Sequence, residues 1–151
     1  MGGESLNEGQ TCLHTLRIPV RWADLDALGH VNNATYFTYF EQARVSWLES
    51  IGAAGAVLTG TALGPVLINA ACTFHKPVVY PASLEVRLYG GRPGRSSVET
   101  YYELRDAAQT ETLYATGSAQ LVWFDRATGR STPIPAAIRD LLPRAADEPA
   151  G

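Results

Sequence analysis

The segment YFTYFEQARVSWLESIG, residues 36–52, constrains the fold more than any other part of the sequence. Its apolar residues recur at steps of three and four, the spacing that places side chains on one buried face of a helix. Phe37, Tyr39 and Leu48 widen this apolar stripe, so we expect a helix over residues 33–51 that is covered on more than one side. The expected buried face consists of Tyr36, Phe40, Ala43, Trp47 and Ile51.

Strand patterns precede and follow this helix. From Cys12 the residues alternate, with Pro19 indicating a strand at the edge of a sheet. The face of this first strand that we expect to be buried carries Leu16, Ile18, Val20 and Trp22. Further strands are predicted at residues 65–74, 83–89, 97–105 and 112–125, and a short helix at 135–142. Short turns between successive strands favour an antiparallel sheet, so we predict an α+β fold in which five strands curve around one long helix.

Composition limits the possible classes of function. Hydrophobic residues make up 46% of the 151 residues and charged residues 18%, which is typical of one globular domain. We expect that domain over residues 12–142, between flexible termini at 1–11 and 143–151. A net charge of −3 argues against nucleic-acid binding, which needs a clustered basic surface. Cys12 and Cys72 have no metal-ligand spacing, and neither a signal peptide nor a membrane span is evident, so we expect a cytoplasmic protein.

The stretch ADLDALGHVNN, residues 23–33, joins the first strand to the helix and has more than one interpretation. Aspartate and asparagine are common in turns and at helix N-caps, and Asn32 or Asn33 is suited to capping. The pattern D-x-D-x-x-G also begins like a calcium-binding EF-hand loop. Counted from Asp24, however, its fifth position is Leu28, which offers no side-chain oxygen, and its twelfth position lacks the required glutamate. The calcium interpretation is therefore excluded.

Catalysis is the remaining interpretation of this stretch. A helix N-terminus carries free N–H groups and a partial positive charge, which stabilise a developing oxyanion. A carboxylate on the loop that leads into this terminus would lie near a carbonyl bound there. It could attack the carbonyl carbon or deprotonate a water molecule beside it. The residues alone leave capping and catalysis both open.

Two longer stretches resemble a known family. RWADLDALGHVNNATYFTYFEQARVSWLE, residues 21–49, resembles the signature of the hotdog-fold acyl-CoA thioesterases of the 4-hydroxybenzoyl-CoA thioesterase type. That signature has D-x-D-x-x-G-H-V-N-N before an aromatic-rich helix that ends in E-x-A-R. FHKPVVYPASLEVRLY, residues 74–89, resembles the family's second signature, an aromatic–x–x–Pro turn before a strand. Residues 80–83 depart from it, since many members have Gly-Asp there. The resemblance covers residues 12–135 and implies a hotdog fold.

The resemblance also implies an activity and the residues that perform it. It implies hydrolysis of an acyl-CoA to coenzyme A and a carboxylic acid, without a cofactor or a metal. The nucleophile or general base would be Asp26, the second aspartate of D-x-D, and the oxyanion donor a backbone N–H near Asn33. Asp24 would stabilise the loop. The expected substrate-binding residues are Gly29, His30, Val31 and Tyr36 near the thioester, and Arg92 and Arg95 near the phosphates of coenzyme A.

Several alternatives remain open at this stage. The family pairs two sheets, which implies a homodimer, or a homotetramer built from two dimers, with each active site between subunits. A hydratase or dehydratase acting on acyl thioesters and a non-catalytic acyl-binding module are the rival functions.

Glu41 could act as a catalytic helix carboxylate, but we expect it to form an ion pair with Arg44. His14 and His75 are expected to have ordinary packing or exposure, and Arg126 and Arg130 are further candidates for phosphate binding. The acyl group and the thioester carrier are not predicted.

Overall fold

Six strands and two α-helices make up the described part of the chain, residues 9–53 and 62–144 of a computed structural model. Residues 1–8, 54–61 and 145–151 lie outside the described residues, and most of the flexible termini expected at 1–11 and 143–151 falls there. In chain order the elements are β1 (Thr11–Pro19), α1 (Asn33–Ser50), β2 (Leu63–Phe74), β3 (Ser83–Gly90), β4 (Ser97–Asp106), β5 (Leu113–Asp125), β6 (Arg130–Ser131) and α2 (Ala136–Arg139). The five predicted strands and the long helix are present, and β6 is a short addition that pairs with β5.

The strands form one antiparallel sheet in the order β1–β3–β4–β5–β2. Strands β1 and β2 are therefore the edges, which agrees with the edge position predicted from Pro19. Along β2, apolar side chains remain exposed, and Ile68 is the most exposed of them at 56%. An edge strand presents unpaired backbone N–H and C=O groups, so β2 offers both polar and apolar groups to a partner.

Helix α1 packs against one face of the sheet. Phe40, Ala43 and Trp47 are buried, as the helical spacing predicts. Strand β5 approaches the helix closely at Gly117, where a Cβ atom would lie 2.5 Å from the ring of Phe40. The absence of a side chain at Gly117, in the middle of β5, thus makes room for the helix. One long helix against an antiparallel sheet is the hotdog arrangement, and the predicted fold class is confirmed.

Three side chains predicted to be buried are exposed instead. Trp22 is 75% exposed, because β1 ends at Pro19 and the chain turns into a 3₁₀ helix over Trp22–Asp24, where the strand alternation no longer applies. Ile51 is exposed because it follows the last residue of α1 as its C-cap. Phe37 is exposed because it faces a groove between α1 and the open edge strand β2.

Candidate functional site

The buried carboxylate of Asp24 holds the loop between β1 and α1 in place through hydrogen bonds. Its buried Oδ2 accepts hydrogen bonds from the Arg21 amide at 3.0 Å and from the Tyr39 hydroxyl at 2.8 Å. Its Oδ1 accepts one from the Arg21 guanidinium at 3.1 Å, and its carbonyl oxygen accepts one from the Asn32 amide at 2.9 Å. Burial alone would raise the pKa of Asp24, but these hydrogen bonds outweigh it and lower that pKa below its usual value. The prediction that Asp24 stabilises the loop is confirmed.

Asp26 has a different environment two residues further on. Its Oδ1 accepts hydrogen bonds from the amides of Leu28 at 2.9 Å and His30 at 3.3 Å, and its own amide donates to the His30 carbonyl at 2.8 Å. Gly29, at φ +82°, allows the tight turn in which these bonds form. No group in the described part of the chain donates to Oδ2 of Asp26. One oxygen is therefore anchored while the other is available to a ligand.

The N-terminus of α1 lies beside this turn. The Asn32 side chain caps the helix by accepting a hydrogen bond from the Ala34 amide at 2.9 Å, and its carbonyl accepts one from the Thr35 amide at 2.9 Å. Of the two predicted capping residues, Asn32 has this function. The Asn33 amide has no acceptor among the described residues. It is a free N–H at the positive end of an 18-residue helix.

One cavity of about 310 Å³ brings the two groups together. Four of the predicted site residues line it, namely Asp26, His30, Asn33 and Tyr36. Its remaining lining is Leu28 from the same loop and Phe74, His75, Lys76 and Pro77 from the end of β2. The cavity therefore has a carboxylate, a free helix N–H and aromatic walls within one small volume.

The second wall of the cavity contains residues that the sequence did not identify. The amides of His75 and Lys76 both donate to the Tyr114 carbonyl, at 2.8 and 3.1 Å, which fixes the backbone after β2. His75 is exposed, as expected, and it also lines the cavity, with its Nε2 3.0 Å from the Thr116 hydroxyl. The signal that could have located this wall is the aromatic–x–x–Pro motif itself, because it spans residues 74–77.

Other predicted substrate-binding residues lie outside the cavity lining. Gly29 shapes the Asp26 turn, whereas Val31 is buried and its amide donates to the Val78 carbonyl at 2.9 Å. Arg92 and Arg95 follow β3, which pairs with β1 so that Ser83 lies beside Pro19 and Gly90 beside Thr11. The two arginines are thus at the opposite end of the sheet from the cavity, roughly 23 Å away along the strand. Within one chain they do not reach it.

A smaller groove, of about 150 Å³, lies between α1 and β2. Arg44 lines it, and its guanidinium donates to the Tyr102 hydroxyl at 3.1 Å while lying over the Tyr102 ring at 5.8 Å from the centroid. The expected ion pair between Glu41 and Arg44 is therefore wrong, because the Tyr102 hydroxyl and ring engage the guanidinium. Glu41 lines the same groove and is absent from the Asp26 cavity.

Comparison with known proteins agrees with the fold. A family model described as the thioesterase-like superfamily matches residues 20–142. The PA2801 protein of Pseudomonas aeruginosa is 46% identical, with a TM-score of 0.82 and a match that covers 86% of this chain and 98% of that one. The PA5185 protein of the same organism is 31% identical, with a TM-score of 0.78 and coverage of 91% and 95%. A curated protein of Aquifex aeolicus is 39% identical over 69 residues, 46% of this chain and 54% of that protein, so the chain spans about half the length of this relative.

The fold and the site define the class of protein, and the comparisons identify its family. One long helix on an antiparallel sheet is the hotdog arrangement, and the family model that matches is that of the thioesterase-like superfamily. The chain belongs to the thioesterase-like superfamily, and its enzyme class is thioester hydrolase, as the sequence predicts. No helix in the described ranges is long and apolar enough to cross a membrane.

Proposed function

We propose that this chain is an acyl-CoA thioesterase of the 4-hydroxybenzoyl-CoA thioesterase type, which releases coenzyme A and a carboxylic acid. The observation that carries the proposal is the cavity that Asp26 and Asn33 both line: Oδ2 of Asp26 accepts no hydrogen bond from the described residues, and the Asn33 amide has no acceptor among them. A carbonyl bound there would have a donor for its oxygen on one side and a carboxylate for its carbon on the other.

In this proposal the thioester carbonyl oxygen accepts a hydrogen bond from the Asn33 amide. The positive end of α1 stabilises the negative charge that develops on that oxygen. Asp26 then acts in one of two ways. It attacks the carbonyl carbon to form an acyl anhydride, expels the thiolate of coenzyme A and is released by water, or it deprotonates a water molecule that attacks the same carbon. Both routes yield the same two products.

The turn around Asp26 suits either route. Hydrogen bonds from two backbone amides hold Oδ1 and thereby orient Oδ2, so little reorganisation is needed when the substrate reacts. Tyr36 and Phe74 form an edge-to-face pair with ring centroids 4.8 Å apart at the cavity wall. These rings supply an apolar surface for the acyl group.

We further propose that residues 12–142 act as one domain that forms a homodimer, through the open edge of β2. Four large apolar side chains are exposed along this strand: Leu63, Leu67, Ile68 and Phe74. A twofold axis would pair two β2 strands in antiparallel orientation. The end of the partner's sheet that carries Arg92 and Arg95 would then adjoin this chain's cavity. That geometry supports binding of coenzyme A phosphates by arginines of the second subunit.

Release of free thiol from acyl-CoAs tests the proposed function. The purified protein is assayed with aliphatic and aromatic acyl-CoAs and with an acyl-carrier-protein thioester, and its mass is measured in solution. We expect thiol release from at least one acyl-CoA and the mass of a dimer or of a pair of dimers. Hydration of an enoyl-CoA without thiol release would identify a hydratase instead. Binding of acyl-CoA with no turnover of any thioester would identify a non-catalytic module.

A further inference from the structure

Lys76 is the single lysine of the sequence, and it lines the same cavity as Asp26. The other basic residues of the chain are arginines, and none of them lines this cavity. Apart from the two histidines of its wall, the cavity therefore contains one cationic side chain, Lys76, and one carboxylate, Asp26. The hydrolysis proposed above uses Asp26 but assigns no function to Lys76.

The ammonium group of Lys76 is available to a ligand. Within residues 9–53 and 62–144 no carboxylate lies within ion-pair distance of it. The neighbouring carboxylate, Asp106, is already occupied by the amides of Gln109 and Ala108, both at 2.9 Å, and by the Tyr114 hydroxyl at 3.1 Å. The Gln109 and Ala108 amides and the Tyr114 hydroxyl lower the pKa of Asp106, and the charge of Lys76 contributes a smaller part. Asp106 therefore does not need Lys76 as a partner.

The backbone at Lys76 is held in a fixed position. The amides of His75 and Lys76 both donate hydrogen bonds to the Tyr114 carbonyl. Pro77 follows directly, and its ring restricts φ. The stem of the side chain starts from an anchored point at the cavity wall. A lysine held in this way presents a compact charge to a ligand in the cavity.

We propose that Lys76 is a specificity-determining residue that selects acyl groups bearing an anionic oxygen group, such as a carboxylate, a few bonds from the thioester. This inference rests on the proposed function, because it assumes that the thioester carbonyl lies between Asp26 and Asn33. An anionic acyl group would be repelled by the Asp26 carboxylate at short range. Lys76 offsets that repulsion and donates a charge-assisted hydrogen bond to the anionic group.

The size of the cavity favours the acyl group over coenzyme A as the source of the anion. Lys76 and Asp26 both line one cavity of about 310 Å³, a volume suited to an acyl group and too small for the whole of an acyl-CoA. The whole pantetheine arm separates the thioester sulfur of coenzyme A from its first phosphate. An anion that contacts Lys76 while the thioester is beside Asp26 is therefore carried by the acyl side.

The test compares two acyl groups on two carriers. Glutaryl and pentanoyl thioesters have the same chain length and differ in the terminal carboxylate. Each is prepared on coenzyme A and on N-acetylcysteamine, which carries no phosphate. Thiol release is measured for the wild type, Lys76→Gln and Lys76→Arg. Arg17→Gln, which removes an exposed positive charge from β1, is the matched control.

We expect Lys76→Gln to lower kcat/KM for the glutaryl thioesters roughly 10- to 100-fold on both carriers, mainly through KM. Pentanoyl thioesters should change less than about threefold, and Lys76→Arg should retain most of the glutaryl activity. Arg17→Gln should change neither. A loss that appears only with coenzyme A carriers would show that Lys76 contacts phosphate and would overturn the proposal. An equal loss on all four substrates would overturn it as well.

A binding measurement separates failure of this inference from failure of the proposed function. The Kd values of glutaryl-CoA and pentanoyl-CoA are measured by calorimetry for Asp26→Asn and for Asp26→Asn combined with Lys76→Gln. We expect the second substitution to weaken glutaryl-CoA binding selectively, whether or not the wild type hydrolyses either substrate. Hydrolysis of pentanoyl-CoA by the wild type without this selective weakening would leave the proposed function in place and exclude the role of Lys76.

Discussion

Asp24 and Asp26 are the same residue type on the same loop, separated by one residue, and the structure gives them opposite environments. Asp24 is buried and accepts three hydrogen bonds, one of them from the hydroxyl of Tyr39 on α1. Asp26 is half-buried, and both of its hydrogen bonds come from its own turn and reach the same oxygen. A carboxylate with both oxygens hydrogen-bonded stabilises a structure, whereas one with an open oxygen in a cavity is available for chemistry.

Substitution of Asp26 should therefore lower activity, and substitution of Asp24 should lower stability. The largest effect is expected at Asp26. Asp26→Asn keeps the size of the side chain and an oxygen that can accept from the Leu28 and His30 amides, but it removes the nucleophile or base. We expect kcat for acyl-CoA hydrolysis to fall by roughly 10²- to 10⁴-fold with an unchanged melting temperature. Steady-state thiol release and thermal unfolding measure the two quantities.

Asp24→Asn should mainly lower stability. Asparagine has one oxygen and one NH₂ group where Asp24 has two acceptor oxygens, so one hydrogen bond to a charged group is lost. The NH₂ group would also lie against an N–H donor of Arg21 or the Tyr39 hydroxyl. We expect a loss of roughly 1.5–3 kcal/mol in the free energy of unfolding. This corresponds to a decrease of roughly 5–10 °C in melting temperature. A melting temperature equal to that of the wild type would contradict the structural role of Asp24.

The pH dependence of stability adds a second observable for Asp24. Its folded-state pKa lies below the usual value of about 3.9, so ionised Asp24 stabilises the fold above that pH. This contribution is lost as the pH falls through the folded-state pKa. The difference in free energy of unfolding between the wild type and Asp24→Asn should therefore be largest near neutral pH and shrink below about pH 4. Urea unfolding across this range measures the difference, and a gap that stays constant would contradict the assignment.

Gly29→Ala tests whether activity depends on the backbone conformation of the turn around Asp26. Gly29 has φ +82°, and no atom within 4 Å would meet an added Cβ, so backbone strain is the expected cost. We expect a loss of about 1–2 kcal/mol in stability and a lower kcat per folded molecule. Gly52→Ala is the matched control, since Gly52 has φ +75° in equally open space at the other end of α1. It should lose similar stability and keep its kcat.

Tyr39→Phe should have the smallest effect of the set. It removes the hydrogen bond of 2.8 Å to Asp24 while the Arg21 amide still donates to the same oxygen. We expect a loss of about 1 kcal/mol in the free energy of unfolding and no change in kcat. Tyr101→Phe provides a comparison, because its hydroxyl has no hydrogen-bond partner among the described residues. A fall in kcat for Tyr39→Phe at unchanged stability would mean that the Asp24 half of the loop takes part in the chemistry.

The regular elements could be predicted from sequence because each has a strong period. Phe40, Ala43 and Trp47 repeat at helical spacing, and the alternation in β3, β4 and β5 identifies one face of each strand. Trp22 was predicted wrongly because Pro19 ends the strand and the following 3₁₀ helix has no period that the alternation could reveal. Local spacing predicts an element well, and its ends less well.

Of the two walls of the cavity, only the one formed by the loop between β1 and α1 was predicted from the sequence. The loop residues Asp26, His30 and Asn33 are adjacent in sequence, and a motif draws attention to them. His75 and Lys76 reach the same cavity through long-range contacts, since the Val31 amide donates to the Val78 carbonyl and His30 forms a bridge with Val79. The aromatic–x–x–Pro motif identifies residues 74–77 as a turn, but no spacing in the sequence encodes the contacts that bring this turn to the Asp26 loop. Locating Lys76 in the same cavity as Asp26 therefore needed the structure.

The most direct test of the account compares Asp26→Asn with Asp24→Asn in one assay of thiol release from an acyl-CoA, at equal concentrations of folded protein. The account predicts that Asp24→Asn keeps kcat within about tenfold of the wild type, while Asp26→Asn retains less than about 1% of it. Comparable activity in Asp26→Asn and the wild type, or a greater loss in Asp24→Asn, would contradict the division of roles between the two aspartates.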